Sequence, residues 1–261
     1  MSNTSSNQLH KRFKQRPFSC HVTDYSRIDC IVLGREITPG KDKNCYLITR
    51  DVDEKNGTPS RALLKLAPSW MNGDYTRAVS HFPSKGALFV DIETVGLSGN
   101  DATWLAGVSY VEHGQLTMHQ YLARDFAEEE AVLRAFFDLA ARKQHWVSFN
   151  GKSFDKSRLM FRARAKGIQV QPPKGHIDIY HLYREPARER GIKNPSLTEW
   201  ERVRFPGFHR KDHIAGRDIP EAYRNYLKGG DPDPVRRAID HNADDLRMLG
   251  VMYLEALADG R

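Results

Sequence analysis

Cysteine is scarce in this chain. Three stand among 261 residues, at Cys20, Cys30 and Cys45, with no CxxC spacing. An odd number so placed makes neither a disulfide framework nor a zinc set, so reduced, partly buried thiols are expected. Long apolar runs are missing too. Nothing approaches the roughly 20 consecutive apolar residues that cross a bilayer, so no membrane role is expected. The opening stretch MSNTSSNQLHKRFKQR has no apolar core of a secretory signal, which makes a cytoplasmic location the default expectation. Acidic residues are in the minority: 33 Asp and Glu against 40 Lys and Arg leave a net charge of +7. That balance favours a polyanionic partner such as a nucleic acid.

What is present reads as one large α/β domain with an appendage. Residues 1–15 are expected to form a disordered basic tail, with the cluster His10-Lys11-Arg12-Phe13-Lys14-Gln15-Arg16. Residues 16–80 read as a small N-terminal extension of unknown role. It carries possible strands at Cys45–Thr49 and Ala62–Leu66. Clamping a substrate, recruiting a partner and covering a sheet edge all remain open for it. Residues 81–261 read as the main domain. Ala87-Leu88-Phe89-Val90 is a continuous apolar run, as in a strand buried on both faces. Apolar runs at 104–111 and 116–122, with a turn at His113-Gly114, complete a meander of three antiparallel strands. Asp125 and Glu128 resemble a capping box for a helix through about Ala141. A short strand at His145–Phe149 and a helix from Ser153 to about Lys166 follow, then short helices near 180–190, 196–203 and 219–228. In the last helix Asp233 is expected to cap and Pro234 to take the first position. Val235, Ile239, Asn242, Leu246, Leu249 and Tyr253 then repeat as a stripe.

Three segments concentrate carboxylates. In Asp91-Ile92-Glu93, residues i and i+2 of a strand project to one face, so two negative charges leave the end of an apolar strand together. Repulsion and lost solvation call for a compensating positive charge, and a divalent cation suits an oxygen donor set. In Ser148-Phe149-Asn150-Gly151-Lys152-Ser153-Phe154-Asp155 a strand ends, the chain turns, and Asp155 enters the first turn of a helix. There it is either a ligand or a starter that complements the helix dipole. In His241-Asn242-Ala243-Asp244-Asp245, His241 and Asp245 share a helix face at i and i+4, as a catalytic pair or an ion pair. Asn242 falls within the apolar stripe and needs a buried hydrogen-bond partner.

In this order, Asp91-Ile92-Glu93-Thr94, Asn150 to Asp155 and His241 to Asp245 resemble the three motifs of the DEDD exonucleases of the ribonuclease H-like superfamily. The sequence is more closely similar to the YprB-type ribonuclease H-like domain family. Further supporting segments are Gln120–Glu128 and Ile219–Tyr223 with Tyr226-Leu227, and the likeness spans roughly residues 86–257. The resemblance implies a ribonuclease H-like fold, a mixed central sheet flanked by helices. It implies Asp91, Glu93, Asp155 and Asp245 as ligands of two divalent cations, Mg²⁺ or Mn²⁺, one activating a water and the other stabilising the leaving oxygen. His241 then orients or deprotonates the water, touches the substrate phosphate, or only bonds to Asp245. It departs from the family pattern, because a histidine stands here at the spacing where one branch has tyrosine. Thr94, Asn150, Lys152 and Asn242 are candidates for contact with substrate.

Asp178 reads as a structural cap or acceptor. Arg202, Arg204, His209, Arg210, Lys211 and Arg217, with Phe205 and Phe208, make a basic, aromatic loop suited to single-stranded nucleic acid. The leading expectation is a metal-dependent nuclease, a 3′–5′ exonuclease on single-stranded DNA or RNA. The alternatives are a nucleic-acid-binding module with weak or silent catalysis, and a phosphohydrolase acting on nucleotides.

Overall fold

The apolar run that opens the main domain forms the centre of a seven-stranded sheet in the computed structural model, which describes residues 27–40, 42–51, 86–112, 115–205, 210 and 213–258. The strands are β1 (Arg35–Ile37), β2 (Cys45–Asp51), β3 (Ala87–Thr94), β4 (Thr103–Glu112), β5 (Gln115–Leu122), β6 (His145–Ser148) and β7 (Gly175–Asp178), in the order β1-β2-β5-β4-β3-β6-β7. The expected meander is present: β3, β4 and β5 pair antiparallel. Beyond β3 the sheet becomes parallel through β6 and β7. It is therefore the mixed sheet of a ribonuclease H-like fold.

Among the described residues seven α-helices pack around it: α1 (Ile28–Ile31), α2 (Glu129–Ala140), α3 (Asp155–Ala165), α4 (Ile179–Glu189), α5 (Leu197–Arg204), α6 (Ile219–Leu227) and α7 (Asp233–Ala258). Alternation along β3 assigns the two faces. Leu88, Val90 and Ile92 join a core with α2, α3 and α6, while Ala87 and Phe89 join a second core with α4, α5 and α7. Burying both faces explains why β3 reads as unbroken apolar sequence until Asp91. From there burial alternates. Asp91 and Glu93 are half-buried, and Ile92 and Thr94, alternating with them, are buried.

The strand order reverses between β3 and β6, because β4 and β6 leave β3 on opposite sides. Such switch points, at the carboxyl ends of strands, leave a crevice in open α/β sheets. Pairing of β3 with β6 ends at Phe89 and Val147, so the carboxyl end of β3 is open on that side.

The extension contributes β1 and β2, which continue the sheet past β5. Arg124 pairs with Asp29, Glu36 and Glu128, and Arg50 with Asp240, tying residues 27–51 to the body. The basic tail and the possible strand at Ala62–Leu66 lie outside the described residues, as does Cys20. Cys45 is buried, and burial pushes its thiol up to about 12. Two helix starts differ from expectation. Asp125 accepts from the Glu128 amide as expected, but Glu128 turns back to the Arg124 amide and the helix begins only at Glu129. Asp233 lies inside α7 rather than capping it, and its carboxylate pairs with Arg236 and Arg237. No helix among the described residues is long and apolar enough to cross a membrane.

Candidate active site

The turn after β6 is built by backbone demands. Asn150 has φ 59°, in the left-handed region, which asparagine tolerates better than most residues. Asp178, at the end of β7, accepts from the amides of Asn150 (2.7 Å) and Lys152 (3.0 Å) and caps α4 through the Tyr180 amide (3.2 Å). The structural role expected of it is thus filled three times over. At Gly151 a Cβ would lie 2.2 Å from Ser148 Oγ and 2.9 Å from Asp155 Oδ2, so only glycine lets the turn close. The turn delivers Asp155 to the first turn of α3, facing β3. There its Oδ1 accepts from the Ile92 amide at 3.1 Å, past the last β3 residue paired with β6. An amide that no strand meets is satisfied by a carboxylate.

Helix α7 crosses the same end of β3. Asn242 is fully buried. Its Nδ2 donates to the Asp91 carbonyl (3.1 Å) and to Asp91 Oδ2 (2.7 Å), and its Oδ1 accepts from Gln120 Nε2 (2.8 Å). This is the buried partner that its place in the stripe demands, and it leaves no amide edge toward solvent. The approach is possible because Gly107, cross-strand from Asp91, has no side chain: a Cβ there would lie 2.0 Å from Asn242 Oδ1. Gln120 is held in turn by Arg50 Nε (3.0 Å) and donates to the Ile239 carbonyl (2.7 Å).

One turn further on, His241 Nε2 lies 3.2 Å from Asp245 Oδ2. Arg210 Nη1 is 3.4 Å from His241 Nδ1. An arginine only donates, so Nδ1 is the acceptor and Nε2 carries the proton toward Asp245. Arg210 also pairs with Asp245 Oδ1 and with Glu201 on α5, both at 2.6 Å, and its side chain is only 3% exposed. The basic residues expected to suit single-stranded nucleic acid divide in two. Arg210 and Arg204 point inward, Arg204 pairing with Glu255, while Arg202 and Arg217 are exposed. His209, Lys211 and Phe208 lie outside the described residues.

The structure therefore brings Asp91, Glu93, Asp155 and Asp245 into mutual electrostatic range. Burial pushes Asp91 well above the usual carboxylate range, aided by repulsion from Asp245, Glu93 and Asp155. Burial, with Asp245 and Asp155, does the same to Glu93. Burial raises Asp155 to about 7, against the hydrogen bond from Ile92. Asp245 goes the other way. Burial alone would raise it, but the His241 hydrogen bond and the Arg210 guanidinium outweigh burial and hold it low. Among the described residues no cationic side chain pairs with Asp91, Glu93 or Asp155. As they stand, no three His, Cys, Asp or Glu side chains there form a set arranged to hold a metal ion. Asp155 is turned to the Ile92 amide and Asp245 to Arg210 and His241. The donor chemistry nevertheless fits a hard divalent cation: carboxylate oxygens from three elements, three of them uncompensated.

Of the candidates for substrate contact, Asn150 and Lys152 are exposed at the rim. Thr94 is buried and donates its hydroxyl to the Gly96 carbonyl at 2.6 Å. The sequence singles out Gln120 and Arg210 without the roles they take here, Gln120 bonded to Asn242 and Arg210 to Asp245. Gly107 carried a signal, since a glycine inside a strand often marks a close approach.

A family model described as the RNase_H superfamily matches residues 88–256, which include all three carboxylate segments. The uncharacterized protein YprB of Bacillus subtilis (strain 168) is 26% identical over 189 residues, covering 69% of this chain and 44% of that protein. The chain thus spans less than half the length of that relative. A solved family B DNA polymerase from the hyperthermophilic archaeon Pyrobaculum calidifontis has a TM-score of 0.52 at 19% identity, over 67% of this chain and 25% of that one, a likeness of fold. A match over most of the chain, on a sheet with this strand order, shows that the chain belongs to the RNase H superfamily.

Proposed function

We propose that this chain is a divalent-cation-dependent nuclease that hydrolyses phosphodiester bonds. The observation that carries the reading is uncompensated charge: Asp91, Glu93 and Asp155 meet at one strand end with no cation paired to them among the described residues. Asp91, Glu93, Asp155 and Asp245 are the residues that would hold Mg²⁺ or Mn²⁺. When bound, the cation supplies positive charge that eases deprotonation of the attacking water and offsets charge developing on the phosphate.

The chain's own residues do the rest. Asn242 fixes Asp91 in one orientation from inside the core, and Asp178 fixes the turn that presents Asp155. Thr94 holds the loop after β3 through Gly96. Exposed Lys152 and Asn150 stand where a phosphate backbone would pass, the lysine offering charge and the asparagine hydrogen bonds. His241 steers Asp245, and Arg210 engages its acceptor nitrogen.

The finer reading is a 3′–5′ exonuclease on single-stranded DNA or RNA, supported by the resemblance of the three motifs to those of the DEDD exonucleases. Water adds to phosphorus as the P–O3′ bond breaks. The released nucleotide keeps a 5′-phosphate and the strand a 3′-hydroxyl. Strands labelled at the 5′ or the 3′ end, single or paired, test this with Mg²⁺, Mn²⁺ or EDTA. A metal-dependent ladder from 5′ label, with mononucleotide from 3′ label, is expected. Internal cuts would overturn the exonuclease reading and keep the nuclease. A second reading, a catalytically silent nucleic-acid-binding module, is favoured by the hold of Arg210 on Asp245. It predicts a gel shift with no cleavage under any metal.

A further inference from the structure

Among the described residues, Arg210 is the one arginine or lysine built into the carboxylate cluster. Its guanidinium joins Glu201 on α5 to Asp245 and His241 on α7 and is almost wholly buried. A charge so enclosed is not a surface pair that solvent screens. Removing it would strand Glu201 and Asp245 without compensation. The four carboxylates therefore divide three to one: Asp245 has a resident cation, and Asp91, Glu93 and Asp155 have none among the described residues.

We propose that Arg210 stands in for a second divalent cation on the Asp245 side, so that the protein loads a single ion on Asp91, Glu93 and Asp155. The inference rests on the nuclease reading, from which the ligand set comes, but changes its stoichiometry. A guanidinium supplies fixed positive charge and charge-assisted hydrogen bonds beside a reacting phosphate, as an ion at Asp245 would. It does so without leaving when the product leaves.

The test is Mn²⁺ binding to the full chain, followed by calorimetry and electron paramagnetic resonance, so that no activity is needed. Wild type is expected to bind one Mn²⁺ per chain with the spectrum of an isolated ion. Arg210→Lys, which keeps the charge, is expected to do the same. Arg210→Gln, which vacates Asp245, is expected to bind two ions with a spin-coupled spectrum. Asp155→Asn is expected to weaken the single wild-type site by about tenfold or more. Two ions in wild type, or one in a folded Arg210→Gln protein, would overturn the proposal and leave the nuclease reading standing. No Mn²⁺ bound by wild type, with strands cleaved equally in EDTA, would sink both. If Arg210→Gln does not fold, the wild-type stoichiometry alone decides.

Discussion

Replacing Gly107 by alanine asks whether Asn242 is held as tightly as its contacts suggest. The added Cβ would lie 2.0 Å from Asn242 Oδ1, 2.8 Å from its Cγ and 2.9 Å from its Nδ2. All three are closer than non-bonded atoms tolerate, so the amide must move. It is fully buried and makes three hydrogen bonds, to Gln120, the Asp91 carbonyl and the Asp91 carboxylate. Overpacking of this kind costs about 1–3 kcal/mol. Stranding buried polar groups adds about 1–3 kcal/mol more. Gly107→Ala is therefore expected to destabilise the protein by about 3–5 kcal/mol in urea denaturation. In an Asn242→Ala background the clash has nothing to meet, and the same change should cost less than about 1 kcal/mol. The coupling is the decisive quantity. An equal cost in both backgrounds would refute the claim that a missing side chain on β4 makes room for the residue that orients Asp91.

The other predictions concern charge. Glu129→Ala removes the carboxylate that holds Arg162, Lys166 and the Thr103 amide, and should cost about 1–3 kcal/mol in thermal or urea unfolding, since it leaves the buried Thr103 amide and the half-buried Arg162 short of a partner. Asn150→Ala puts an ordinary residue at φ 59° and should cost about 1 kcal/mol by the same assay, whereas Asn150→Gly should cost nothing. In the metal-free protein Asp155 is raised from 3.8 to about 7, so its stabilising contribution is complete below about pH 4 and is lost as pH rises through about 7. Stability without metal should therefore fall between those limits. Asp91 and Glu93 act in the same direction, and Mg²⁺ or Mn²⁺ should restore stability at the upper end. Asp245 has the opposite sign, and its contribution fades only as the pH falls below the usual carboxylate range.

Much of the site was legible because short-range periodicity carries it. A strand's period of two puts Asp91 and Glu93 on one face, a helix's period puts His241 beside Asp245, and Asn150-Gly151 announces a turn. The central meander and the later helices were legible for the same reason. The three residues of β1 and four of β7 were not, because so short a segment shows no period, and β7 exists through parallel pairing with β6. Arg210 reads in the sequence as part of a basic, aromatic loop suited to single-stranded nucleic acid. Local sequence cannot tell that its guanidinium folds back between α5 and α7, since the partners Glu201 and Asp245 lie 9 and 35 residues away. Gln120 was hidden likewise, its partners Asn242 and Arg50 being distant in sequence.

If the chain is a nuclease, its activity needs a divalent cation that Asp91 and its neighbouring carboxylates would hold. The most direct measurement compares wild type with Asp91→Asn on labelled single-stranded DNA and RNA, each with Mg²⁺, Mn²⁺ or EDTA. Asparagine keeps the size of Asp91 and removes its charge, so folding should be preserved, as a coincident melting curve would verify. Cleavage by wild type with metal, none with EDTA, and a loss of at least about a hundredfold in Asp91→Asn are expected. Cleavage that survives in Asp91→Asn or in EDTA, or no cleavage by wild type under any metal, would contradict the proposed function.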